Sequence, residues 1–323
     1  MSRRRFCQEL LTFAAQELKT DTPIQMWGDV LNRLLVVATV DVAYDDTEKV
    51  GLFQYCKPKI GILHLQMVLR NLNLTEKNDV SDALKAKGNK ETMTNDILAT
   101  FHGESVSRHS MRSLRWDKHI IDKVINLYMK LLLERDSQLC TKDVNRRPCA
   151  FFSTFFYTKL MGYGHAQNPN TFHYENVKHW SRKKPLFQFD KLFIPCHNGA
   201  YGGMGHWGAC VVYLQEKTIQ YYDSAGGSGQ KYMKHVQMYL VKEYENEHPQ
   251  GTGPSPTEWE CIETQQDTPT QTKDDCGVFT SMFIDFISLG IPITLLQADQ
   301  APRLRQHMLL SILHKRLYNE SGV

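Results

Sequence analysis

No stretch of this 323-residue sequence is apolar for long enough to cross a bilayer, so no membrane-spanning helix is expected. The opening Met1-Ser2-Arg3-Arg4-Arg5 is basic, but Gln16 and Glu17 interrupt the apolar residues that follow, so a secretory leader is not expected. The eight cysteines form no CxxC pair and no metal-ligand spacing, which argues for free thiols in a reducing compartment and against a metal site. Neither sign of charge dominates, with 38 Lys and Arg against 35 Asp and Glu. The net charge of +3 is too small to imply a nucleic-acid surface. A glycine-rich stretch, Asn198 to Gly205, has no Lys-Ser/Thr after it and so does not read as a phosphate loop. What remains is 41% hydrophobic and 23% charged, a composition able to bury a large core.

Two regions are expected. Residues 1–100 read as a helical accessory region carrying no chemistry. Helices are predicted over 1–20, Ile24–Val37 and Ile60–Asn73, with a charged boundary or linker over Lys77–Asp96. From Leu114 the texture changes. Ile120–Leu133 and Cys149–Leu160 read as helices rich in apolar residues. Strands are predicted at Leu186–Pro195, His206–Leu214 and Thr218–Tyr222, the last two joined by the turn Gln215-Glu216-Lys217. Helices follow over Lys231–Glu247, from Cys276 onward, and over Arg303–Tyr318.

The chain is organised around Thr270–Phe279. A polar run ends at Asp275-Cys276-Gly277, and Phe279, Phe283, Phe286 and Ile287 then recur at helix spacing. Cys276 is therefore predicted at a helix N-terminus, where backbone N–H groups and the helix dipole favour a thiolate. A buried, inert cysteine is the commoner role for this residue type, so the sulfur needs partners. His206 opens one strand of the expected hairpin and Asp223 closes the other, which puts imidazole and carboxylate side by side. Gln271 stands five residues before Cys276 and is a candidate oxyanion donor. Each residue alone has an ordinary explanation: strand-end histidine, turn aspartate, loop glutamine. Together, in this order, they read as an activated thiol nucleophile.

Several further segments carry a resemblance: Asp122–Met129, Phe151–Leu160, Tyr174–Trp180, Lys191–Pro195, His206-Trp207, Tyr222–Ser224, Asp275–Phe279, and a last helix with Arg305 and Met308. Over about residues 106–318 the chain resembles the ubiquitin-like-protein-specific proteases, the SUMO (sentrin) cysteine proteases. The resemblance implies an α+β, papain-like fold, with the nucleophile's helix packed on a mixed sheet and a mostly helical region before it. It implies a catalytic domain over residues 106–323, with Cys276 as nucleophile, His206 as base and then acid, Asp223 as its orienter and Gln271 as oxyanion donor. Trp207 would roof a tunnel for the modifier's Gly-Gly tail, and Asp122 would meet a basic residue of the modifier. The partner would be SUMO or a related modifier and its conjugates, met by a monomer with no cofactor, no metal, no nucleic acid and no membrane, in the nucleus and/or cytoplasm.

Three departures from the family's pattern stand out. His119 takes the place of a second tunnel tryptophan, with Trp116 three residues early. Gln271 is one residue closer to the cysteine than usual, with Gln266 as a fallback. The loop between Pro195 and His206 is long and glycine-rich. They leave three alternatives open: a protease for another modifier, an acyltransferase on the same fold, or a weakly catalytic SUMO-binding module.

Overall fold

The structure is a computed structural model that describes residues 61–116, 118–162, 171–181, 185–199, 205–249, 255–263 and 268–317. The helices expected over 1–20 and 24–37 lie outside these residues, as does most of the glycine-rich loop.

A helix over residues 61–68 (α1) is followed by α2 (Leu74–Leu84) and α3 (Lys90–Asn95). The linker expected over Lys77–Asp96 is thus mostly helical. Local capping explains the difference. Asn73 and Glu76 form a reciprocal capping box, and Asn89 accepts from the Thr92 N–H. With so few apolar residues, Val80 and Ala83 suffice to seat α2 on the core. The buried Arg108 then bonds the Asp82 backbone and the Asp96 carboxylate, tying this region down. The hairpin β1 (Ile97–Phe101) and β2 (Glu104–Ser107) and the one-turn helix α4 (Arg108–Met111) lead into α5 (Asp122–Lys142). Leu63, Met67, Val80 and Ala99 share one apolar core with α5 and the later helices.

The helix expected over Cys149–Leu160 is two elements. Ala150–Phe151 is a short strand, β3, and only Phe155–Leu160 is helical, as α6. Sheet pairing wins over the local pattern: Phe152 N–H bonds the Phe193 carbonyl, and Phe151 stacks on Phe193 with ring centroids 5.0 Å apart. The remaining elements are β4 (Lys191–His197), β5 (Trp207–Tyr213), β6 (Thr218–Tyr222), α7 (Gln230–Glu247), β7 (Glu260–Ile262), α8 (Cys276–Ser288) and α9 (Ala301–His314).

The five strands form one mixed sheet in the order β3-β4-β5-β6-β7. β4, β5 and β6 run antiparallel, and β3 and β7 add parallel edges. Side chains alternate across the sheet with the period of a strand. Ala209 and Val211 face the core of α5, α8 and α9, while Cys210 and Val212 face the core of α6 and α7. β5 is covered on both sides, which is why it reads as a continuous apolar run. Every residue of α8 is buried.

That burial leaves the polar residues of α8 in need of partners. Asp285 accepts from Arg135 Nη1 at 2.5 Å and from the Tyr128 hydroxyl at 3.0 Å, with His64 Nε2 at 3.6 Å. Burial alone would raise its carboxyl, but Arg135 and His64 outweigh burial and hold it well below the usual carboxylate range.

Candidate active site

The hairpin of β5 and β6 carries two of the expected residues at its open end. Ala209 faces Tyr222 in the ladder, so His206 and Asp223, just beyond the strands, are near neighbours. His206 Nε2 lies 2.5 Å from Asp223 Oδ1. The same carboxylate oxygen accepts the Ala225 N–H at 2.7 Å, so the turn itself fixes its direction. Gly227 packs so close that a Cβ there would sit 2.7 Å from Asp223 Oδ2, a contact only glycine permits without displacement. Asn198 clamps the base from the other side, its Oδ1 accepting the His206 N–H at 2.6 Å.

Cys276 is the first residue of α8 and is 1% exposed. The free N–H groups of that helix end surround a sulfur placed there. Asp223 engages the Nε2 of the His206 imidazole, and Cys276 is the second group that acts on that ring. The bond to Asp223 and the bond to Cys276 together outweigh burial and raise His206 to about 9. The raised value favours the protonated form of the imidazole.

Trp207 follows the base and is almost wholly buried. Its indole N–H donates to the Ile120 carbonyl at 2.9 Å. Gly277 makes this approach possible: a Cβ there would meet Ile120 Cβ at 3.1 Å and Trp207 Cδ1 at 3.2 Å. Trp207 and Ile120 thus close over Gly277, the residue after Cys276. The sequence had not singled out His197, whose ring lies 4.3 Å from that of Trp207 between centroids. Burial is the largest influence on His197 and lowers it, and the neighbouring His206 lowers it further. His119 Nε2 lies 3.2 Å from Asp274 Oδ1, two residues before Cys276.

Gln271 is brought beside the triad through Ser224, the residue after Asp223. Its backbone N–H bonds the Ser224 carbonyl at 2.8 Å, and its Oε1 accepts the Ser224 hydroxyl at 2.6 Å. Its side-chain N–H donates to the Lys273 carbonyl at 2.6 Å. The donor is thus engaged within its own loop. Gln266 lies outside the described residues. Among the described residues, no group of three or more His, Cys, Asp or Glu side chains could hold a metal ion.

Residues 118–317 match the family described as Ulp1 protease family, C-terminal catalytic domain. The chain belongs to this family. Its similarity to sentrin-specific protease 2 of Mus musculus is 31% identity over 224 residues, which is 69% of this chain and 34% of that protein. Against ubiquitin-like-specific protease 1A of Arabidopsis thaliana it is 33% over 225 residues, 68% of this chain and 41% of that protein. The chain thus spans well under half the length of these curated relatives. Two solved Ulp1-type folds superpose on most of it. The C-terminal Ulp1 protease domain in complex with Smt3, the yeast ortholog of SUMO, matches 76% of this chain and 97% of its own, with a TM-score of 0.58 and 22% identity. The Chaetomium thermophilum Ulp1-like SUMO protease catalytic domain matches 76% and 91%, with a TM-score of 0.60 and 20% identity. The α+β Ulp1 fold, with a nucleophile-bearing helix on a mixed sheet, is therefore the fold of this chain.

Proposed function

We propose that the chain is a cysteine peptidase and isopeptidase that cuts after the C-terminal Gly-Gly of SUMO, in precursors or in conjugates to lysine. The observation that carries the reading is the His206–Asp223 pair, 2.5 Å apart, together with Cys276 as the first residue of α8 in a Ulp1-family domain. The names of the relatives, sentrin-specific and ubiquitin-like-specific proteases, supply the substrate class.

In the proposed reaction the Cys276 thiolate attacks the terminal glycine carbonyl carbon and a C–S bond forms. The N–H of Cys276 and a Gln271 amide turned away from Lys273 hold the oxyanion. Cationic His206 gives its proton to the amine as the C–N bond breaks, leaving a thioester. Neutral His206 then takes a proton from water, the hydroxide attacks the thioester, and the sulfur departs as thiolate. Asp223 keeps the ring oriented throughout. Trp207 narrows the cleft so that only side-chain-free glycines pass. Asp122 lies on the modifier side, and His119 forms the lip where relatives carry tryptophan.

The test is covalent labelling with a panel of modifiers bearing a C-terminal cysteine-reactive group: SUMO, ubiquitin and other ubiquitin-like proteins. An adduct with SUMO alone, absent in Cys276→Ser, is the expected result. An adduct with a different modifier overturns the substrate class. SUMO binding without any adduct favours a binding module.

Two quantitative expectations follow from the geometry. The pH profile of kcat/KM falls on its alkaline side with an apparent pKa near 9. Below that value His206 holds the proton the leaving amine needs, and above it the proton is gone. An alkaline limb starting near the ordinary histidine value of about 6.5 contradicts this. Gln271→Ala is expected to cut kcat roughly 10²–10³-fold with KM little changed. A loss under about threefold removes Gln271 from the oxyanion role.

A further inference from the structure

One buried side chain joins the two segments that flank Cys276. Arg305 on α9 is 2% exposed. Its Nε donates to Asp275 Oδ1 at 2.8 Å, and its Nη2 lies 2.7 Å from the same oxygen. Nη2 also donates to the Asp274 carbonyl at 2.8 Å. Nη1 reaches the other way, to the carbonyls of Ser113 at 3.2 Å and Arg115 at 2.8 Å.

These partners are not scattered. Asp275 immediately precedes the nucleophile and is the N-cap residue of α8, yet its side chain makes no capping bond and is given over to Arg305 instead. Ser113 and Arg115 open the segment that runs through His119 to Ile120, whose carbonyl receives the Trp207 indole. The guanidinium therefore ties the start of the Cys276 helix to the segment that leads to Ile120. Two surface contacts repeat the link above it: His119 with Asp274, and Lys273 Nζ 5.3 Å from the Trp116 ring centre. Both are exposed and weak. Arg305 is the buried one, presented from a helix anchored by Leu304 and Met308.

We propose that Arg305 is a positioning residue for the cleavage reaction. It sets where the Cys276 sulfur stands against His206 and the Ile120–Trp207 lip, without touching the reacting atoms. The proposal rests on the cysteine-protease reading. Arginine is required because one planar fork serves four acceptors in two directions. A lysine ammonium, a point charge on a flexible stem, cannot span them.

The test compares the parent, Arg305→Lys, and Arg305→Met combined with Asp275→Asn, which leaves no buried carboxylate unpaired. Three readouts are taken: the thermal midpoint, kcat and KM on a SUMO C-terminal fluorogenic amide per folded molecule, and the pH profile of chloroacetamide alkylation at the Cys276 peptide, read by mass spectrometry. Both variants are expected to lose kcat at least about tenfold with KM within about threefold, since a small misplacement of reacting groups costs on that scale. Alkylation of the Cys276 peptide should be slower than in the parent near neutral pH in both variants. A lowered midpoint with kcat and the alkylation profile unchanged in the folded molecules of either variant overturns the proposal and leaves Arg305 a purely structural residue. If Arg305→Lys does not fold, the double variant decides. If the parent cleaves no SUMO amide, the alkylation profile still decides the role of Arg305, so the two readings fall separately.

Discussion

Cys276→Ser is expected to lower the rate of modifier release by at least about 10⁴-fold, the scale on which loss of a nucleophile acts. Serine keeps the shape of the side chain at this 1% exposed position, so the fold and the cleft survive. What changes is the charge. A serine hydroxyl is a far weaker acid than a thiol and does not supply the anion that attacks the carbonyl in the proposed reaction. Affinity for the modifier should stay within about threefold, because binding uses surfaces the substitution leaves alone. Stopped-time cleavage assays and titration of labelled SUMO check the two halves. Release within tenfold of the parent would remove Cys276 from the nucleophile role.

Asp285→Ala is expected to cost about 3–5 kcal/mol of stability, because it strands a buried guanidinium. Arg135 is 3% exposed and directs Nη1 at Asp285, with Nη2 on the Ser288 hydroxyl at 2.8 Å. Tyr128 loses its acceptor in the same step. For a domain of this size the loss corresponds to a fall of roughly 6–20 °C in Tm. Replacing both charges, as Asp285→Leu with Arg135→Met, should recover most of it, since two apolar residues leave no orphaned charge. Denaturant unfolding of the three variants measures this. A single-variant loss under about 1 kcal/mol would mean that Arg135 finds another partner or water.

The hairpin was legible in the sequence because its signals are local. Residues 206–214 and 218–222 alternate or run apolar, and the turn between them holds Lys217 in a left-handed conformation at φ 57°. From that pairing alone His206 and Asp223 had to be neighbours. Helix α8 was legible in type but not in setting. Its phenylalanines mark one face, whereas the helix is buried all round, and the need for Arg135 and Tyr128 comes from elements about 150 residues away. The link made by Arg305 was hidden for a similar reason: Asp275 lies 30 residues before it, but Ser113 and Arg115 lie 192 and 190 residues away. The strand at Ala150–Phe151 was missed because its phenylalanines satisfy a helix pattern equally well, and the choice is made by β4. The charged run at 77–96 looked unstructured because its stability comes from caps and from Arg108, not from an apolar stripe.

The placement of the base has a dynamic consequence. His206 hangs directly from β5, the strand paired on both edges and roofed by helices on both faces. Its amide protons should be among the slowest in the molecule to exchange with deuterium, opening only with global unfolding. Residues 113–116, 118–119 and 271–275 have few such bonds and should exchange far sooner. The imidazole and its carboxylate are thus bolted to the most rigid unit. Whatever yielding is needed to thread a substrate tail must come from the rims.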